Sequence, residues 1–164
     1  MSLPLHRRYL ERQISEDLAE KMVFVSGPRQ MGKTTLACRL AMSYPRSAAF
    51  NWDSTPQKKS ALRQQWRPDT EFLMFDEIHK YPRWRNFVKG VWDTRAEGQK
   101  ILVTGSARLD QFRRGGDSLQ GRYHHHVLHP FSLREMQDGP PCALPDVAEP
   151  PELHFESPGS REHL

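Results

Sequence analysis

The sequence predicts an α/β domain with a mostly parallel sheet, and three observations predict it. Short apolar runs alternate with amphipathic stretches along most of the chain. Several of these runs are apolar throughout, as strands buried on both faces must be. The first run, "MVFVS", passes directly into the glycine-bearing turn "GPRQMGKTT" and then into a helical pattern.

The elements follow in order. "LHRRYLERQISEDLAEK" places Leu5, Tyr9, Leu10, Ile14 and Leu18 at near-helical spacing, and reads as one helix or two short ones. "KMVFVSG" is the first strand. "KTTLACRLAMSY" is a helix that stops before Pro45, because proline pushes its predecessor out of the helical region. "SAAFNWD" is a weaker strand. "TPQKKSALRQQWR" is helical, with Thr55 as the expected N-cap and Pro56 at the first helical position. "EFLMFDEIH" is a strongly apolar strand. "PRWRNFVKGVWDTRAEG" is an amphipathic helix through Trp84, Phe87, Val88, Val91 and Trp92, closed near Gly98. "QKILVTGSA" is a further buried strand, and "RLDQFRRGGDSLQGR" a charged loop with one helical turn. "YHHHVLHPFSLREM" is a last strand that runs into a turn and a short helix. Crossovers between parallel strands are expected to be right-handed.

At 164 residues the chain is long enough for one domain with a core. The folded part is expected over 1–138. Residues 139–164 hold six of the thirteen prolines without periodicity, and read as a tail that is disordered or loosely packed. The net charge of +4 suits a polyphosphate ligand. The basic residues are dispersed without aromatic interleaving, so they permit nucleic acid without supporting it. Cys38 and Cys142 lie far apart, which argues against a disulfide framework. The N-terminus is charged early and has no long apolar stretch after it. A cytoplasmic protein without a membrane span is expected. His124, His125, His126 and His129 cannot converge on a metal from one strand, because alternate residues face opposite sides. They are expected to be exposed.

Gly27, Pro28, Arg29, Gln30, Met31, Gly32, Lys33 and Thr34 fit the pattern G-x-x-x-x-G-K-[ST], with Thr35 following and with a strand before and a helix after. A loop wrapped round a phosphate must turn successive backbone N–H groups inward, which glycine tolerates. The helix behind it adds unpaired N–H groups and a positive dipole end. Lys33 is placed to reach the β- and γ-phosphates, and the Thr34 hydroxyl to ligate Mg²⁺. A helix N-terminus contributes up to about 2 kcal/mol, whereas micromolar affinity needs about 8 kcal/mol. Amides, lysine and metal must therefore act together.

"FLMFDEIH" ends its strand with Asp76 and Glu77. Asp76 is placed to hold the metal, and Glu77 to orient a water for attack on the γ-phosphate. Thr104 and Ser106 end the "ILVTGSA" strand, where strand C-termini line a ligand crevice in a parallel sheet. Arg108, Arg113, Arg114 and Arg122 follow. Of these Arg122 is the best candidate to meet the γ-phosphate, either within the chain or from a second copy or partner protein.

The phosphate loop, "FLMFDEIHKYPRW", "ILVTGSARL" and "LQGRYHHHVLHPFSLREM", in this order, resemble the prokaryotic AAA-type P-loop ATPases whose core precedes a C-terminal domain of uncharacterised function. The resemblance covers roughly residues 5 to 137. It implies a P-loop NTPase three-layer sandwich with a five-stranded sheet of order 5-1-4-3-2. It implies ATP and Mg²⁺, Asp76 and Glu77 as the Walker B pair, the Thr104–Ser106 stretch as sensor 1, and Arg122 in the family's Gly-Arg. Ala107 stands where that family usually has a second serine. No counterpart of its helical lid follows "PFSLREM", which implies a lidless or truncated version. The expected activity is hydrolysis of ATP to ADP and phosphate. The alternatives are a non-catalytic nucleotide-gated binding module and a P-loop small-molecule kinase.

Overall fold

The computed structural model describes residues 7–106, 109, 119–132 and 135. Their elements are α1 Leu10–Asp17, β1 Met22–Ser26, α2 Lys33–Ala41, β2 Ser47–Asn51, α3 Thr55–Leu62 and β3 Phe72–Asp76, followed by α4 Trp84–Thr94, β4 Lys100–Thr104 and β5 Tyr123–Val127. A 3-10 turn, Ile78–Lys80, follows β3. The sheet order is β2-β3-β4-β1-β5, and each neighbouring pair is parallel. This is the implied order read from the other edge. Because the strands all run one way, their C-terminal ends share one edge of the sheet. The register sets Val25 beside Thr104 and His126, and Asn51 beside Asp76.

Strand alternation sorts the core into two layers. Met22 and Phe24 of β1, Leu73 and Phe75 of β3, and Ile101 and Val103 of β4 face one side, where Trp84, Val88 and Val91 of α4 and Ala61 of α3 cover them. Val23, Val25, Phe72, Met74 and Leu102 face the other, beneath Ile14 and Leu18 at α1 and Leu36, Ala37 and Leu40 of α2. The result is a helix–sheet–helix sandwich. Phe72, Phe75, Leu73 and Leu102 are fully buried. Each such side chain contributes about 1.5–3 kcal/mol of transfer free energy. The three middle strands therefore hold the edge that carries the site.

Several expectations are corrected. The N-cap of α3 is Ser54, in extended conformation, so Thr55 already lies inside the helix. Tyr9 precedes α1 and is 52% exposed, so it does not join the buried face of that helix. His124, His125 and His126 are half-buried and have partners, whereas His129, past the strand, is exposed as expected: His125 Nε2 lies 2.9 Å from Ser26 Oγ, His126 Nε2 lies 2.6 Å from Asp17 Oδ2 and His124 Nε2 lies 3.5 Å from Glu20 Oε2. Leu5, Arg108, Arg113, Arg114, Cys142 and the 139–164 segment lie outside the described residues. Among the described residues no helix is long and apolar enough to cross a membrane.

Candidate functional site

The loop after β1 is shaped by its neighbours as well as by its own sequence. Gly27 has φ 153°, and a Cβ there would run into the carbonyl of Leu128, just past β5. Gly27 is thus required by a close backbone approach. Gln30 and Gly32, with φ of 64° and 79°, are left-handed. Left-handed residues interspersed in a turn point N–H groups into a common concavity suited to an anion. Gln30, as a non-glycine, holds this conformation at a cost of about 1–2 kcal/mol, the kind of strain that gathers at functional sites. Among the described residues no side chain caps the start of α2, which leaves its first-turn N–H groups for a ligand.

Lys33 is 6% exposed. Its ammonium donates to the carbonyls of Gly27 at 3.0 Å and Pro28 at 2.7 Å, which holds it across the mouth of the loop. Arg29, Gln30 and Thr35 are exposed. Together with Met31, Gly32, Lys33 and Thr34 they line one wall of a cavity of about 610 Å³, and Asp53, Glu77 and Lys80 line the rest.

Asp76 ends β3 and is 3% exposed. The Thr34 hydroxyl donates to its Oδ2 at 3.0 Å, the Thr104 hydroxyl donates to its Oδ1, and the Asn51 amide approaches Oδ2 at 3.5 Å. Among the described residues no side-chain cation pairs with it. A buried carboxylate with only neutral partners is expensive, and a divalent cation is the natural compensation. One carboxylate and one hydroxyl side by side fit magnesium, which keeps several waters and completes its shell with phosphate oxygens.

Glu77 has φ 56°. This left-handed residue turns the chain out of β3 and carries its side chain to the cavity. Its N–H donates to Thr104 Oγ1 at 3.4 Å. Its carboxylate stands 3.7 Å from Lys80 Nζ and 3.8 Å from His79 Nε2, and Lys80 also donates to Asp53. Thr104 is fully buried. Its hydroxyl faces Asp76 and the Glu77 backbone, not the cavity. The Ser106 N–H donates to His79 Nδ1 at 3.2 Å, while its hydroxyl is buried without a partner among the described residues.

Lys33, Thr34, Asp76, Glu77 and Thr104 are thus brought together, and Arg122 is not. Arg122 precedes β5, and its carbonyl accepts from Met22 at the start of β1. It therefore lies at the opposite edge of the sheet, a strand's length of roughly 16 Å from the loop. Its side chain pairs with Asp93 at 3.2 Å. Asn51, Asp53 and Lys80 belong to the site but were not among the expected site residues. Lys80 alone had a local signal, three residues after Glu77 in "DEIHK".

Two of the solved structures that resemble the chain are of one Bacteroides protein. They are Bacteroides Pif1 bound to ssDNA (15% identity, 78% of this chain and 42% of that one, TM-score 0.42) and unliganded Pif1 from Bacteroides sp (17% identity, 84% and 44%, TM-score 0.43). The chain spans less than half the length of either. No curated protein matches it. The model of a family described as "AAA domain" matches residues 19–137, which include the loop, both strand-end carboxylates and β5. The chain therefore belongs to the AAA domain family of P-loop ATPases.

Proposed function

We propose that the chain binds ATP with magnesium at the 27–35 loop and hydrolyses it to ADP and phosphate. The observation that carries this reading is Asp76, a buried carboxylate that shares a hydrogen bond with Thr34 beside Lys33 and, among the described residues, has no cation of its own. Thr34 and Asp76 would hold the metal, which supplies charge neutralisation across the β- and γ-phosphates. The loop amides and Lys33 bind the phosphates. Glu77 orients the attacking water and accepts its proton. Thr104 acts as a positioning residue, fixing the Asp76 carboxylate and the Glu77 backbone with one hydroxyl. Arg122, placed far from its own loop, would act only on the site of a second copy.

The test is Glu77→Gln. Phosphate release should fall by about 10²–10⁴-fold, the usual worth of a positioned base, while calorimetry still shows Mg·ATP uptake. Equal release by both proteins removes Glu77 from the reaction. A second reading, a nucleotide-gated binding module without turnover, is favoured by the placement of the Glu77 carboxylate opposite Lys80 and His79. Tight ATP binding with no phosphate release at any protein concentration would select it.

A further inference from the structure

Arg8, just before α1, is 5% exposed, a depth at which arginine is almost never found unpaired. Its guanidinium fork is fully engaged. Nη1 donates to the Met31 carbonyl at 2.8 Å, Nη2 to the His129 carbonyl at 2.5 Å, and Nε to Glu135 Oε1 at 3.0 Å. The ring centroid of Phe131 lies 4.1 Å from its Cζ. Glu135 is held in turn by the N–H of Tyr9 at 3.0 Å and by the N–H and hydroxyl of Ser132 at 2.8 and 3.0 Å. The Arg8 and Glu135 side chains are only 3% and 7% exposed.

The placement of Met31 gives this cluster its meaning. Met31 is the residue before Gly32, inside the phosphate loop. A trans peptide points its carbonyl and the following N–H to opposite sides, and no described peptide is cis. A carbonyl drawn outward by Arg8 therefore sends the Gly32 N–H the other way. The remaining two arms of the fork grip the stretch that follows β5. A lysine, whose donors all sit on one compact head, lacks the planar fork that spreads three nitrogens across these three acceptors.

We propose that Arg8 is a positioning residue for the phosphate loop, setting the Met31–Gly32 peptide so that its N–H faces the phosphate and tying that peptide to His129 and Glu135. The inference rests on the nucleotide-binding reading and adds a coupling to it. Phosphate bound at the loop tightens the tie at Glu135. By reciprocity, a change at Glu135 alters affinity for the nucleotide.

The full chain is titrated with Mg·ADP by calorimetry, as wild type, Arg8→Lys, Arg8→Ala and Glu135→Gln. Amide hydrogen exchange at Tyr9 and Ser132 is followed with and without Mg·ADP. Both arginine variants should bind about tenfold more weakly or worse, within the usual range of coupling between linked sites. Glu135→Gln, which leaves the Met31 bond in place, should bind only severalfold more weakly. In the wild type the Tyr9 and Ser132 amides should exchange more slowly when Mg·ADP is bound, and this response should vanish in Arg8→Lys. A merely structural arginine would not produce that nucleotide-dependent response. If Arg8→Ala does not fold, the Arg8→Lys titration and the wild-type exchange decide. Unchanged affinity in Arg8→Lys, with exchange indifferent to Mg·ADP, overturns the role of Arg8 and leaves nucleotide binding standing. A folded wild type that takes up no Mg·ADP overturns both.

Discussion

Asp76 and Lys33 are both buried charges, and each has a different deficit. Asp76 has hydroxyl and amide partners but, among the described residues, no cation. Asp76→Asn removes a buried charge and keeps much of the shape. The ligand-free protein should therefore melt higher, by about 2–4 °C for a gain of about 1 kcal/mol, and should lose the further rise that magnesium and nucleotide give the wild type. A lower melting temperature without ligand would mean that the carboxylate is already compensated. Lys33 instead donates to two backbone carbonyls, which alanine cannot do. Lys33→Ala removes a charge-assisted bond to phosphate worth about 1.5–3 kcal/mol, so Mg·ATP affinity in calorimetry should drop by roughly 10–100-fold; an unchanged affinity would place the phosphates elsewhere. The residues of this site that were legible in the sequence owe it to local causes. The spacing from Gly27 to Thr34 states the geometry of one loop, and an apolar run ending in Asp76 states the end of one strand. Asn51 and Arg8 were not legible, because each reaches the site through strand pairing or chain folding that no local pattern records.

At the scale of elements, the junction of β1, its loop and β5 is tighter than either strand's own sequence suggests. Gly27 is usually explained by the phosphate, yet the backbone after β5 leaves no room for a Cβ. Gly27→Ala should thus destabilise the whole sheet edge, not only weaken binding. Overpacking of this kind costs about 1–3 kcal/mol, and the left-handed φ adds to it. Urea unfolding of the ligand-free chain reads this, and an unchanged midpoint would show that β5 yields easily. Strands β1, β3 and β4 were legible because burial on both faces forces continuous apolar runs. The histidines of β5 misled for the opposite reason. They sit on an edge strand, where their polarity suggests exposure, but α1 packs Asp17 against His126, and Ser26 of β1 meets His125. The boundary of α3 moved by one residue because Ser54 and Thr55 are both good N-caps, and the backbone before the helix decides between them.

For the whole molecule, two carboxylates tie α1 and its approach to a part of the chain more than a hundred residues away in sequence, and both are held as anions. At Asp17, burial opposes ionisation, but bonds from Gln13 and His126 and the nearby charge of His124 outweigh it, so its pKa lies below the ordinary value. At Glu135, burial again opposes, and the N–H groups of Ser132 and Tyr9 with the Arg8 guanidinium outweigh it in the same direction. A carboxyl whose folded pKa is depressed binds fewer protons folded than unfolded near that pKa. Its stabilisation is complete above the unfolded value, about 3.9 for Asp and 4.3 for Glu, and is lost as pH falls through the lowered folded value. Urea midpoints should therefore hold steady from neutral pH down to about 5 and then decline. Glu135→Gln and Asp17→Asn should start lower at neutral pH and decline less, so that their curves approach the wild type in acid. Since both groups grip α1 and its N-terminal approach, amides of residues 9–18 should exchange before those of β1, β3 and β4 as the pH falls. Parallel curves for wild type and variants, or simultaneous exchange of α1 and the central strands, would show that these carboxylates do not fasten the helix to the sheet.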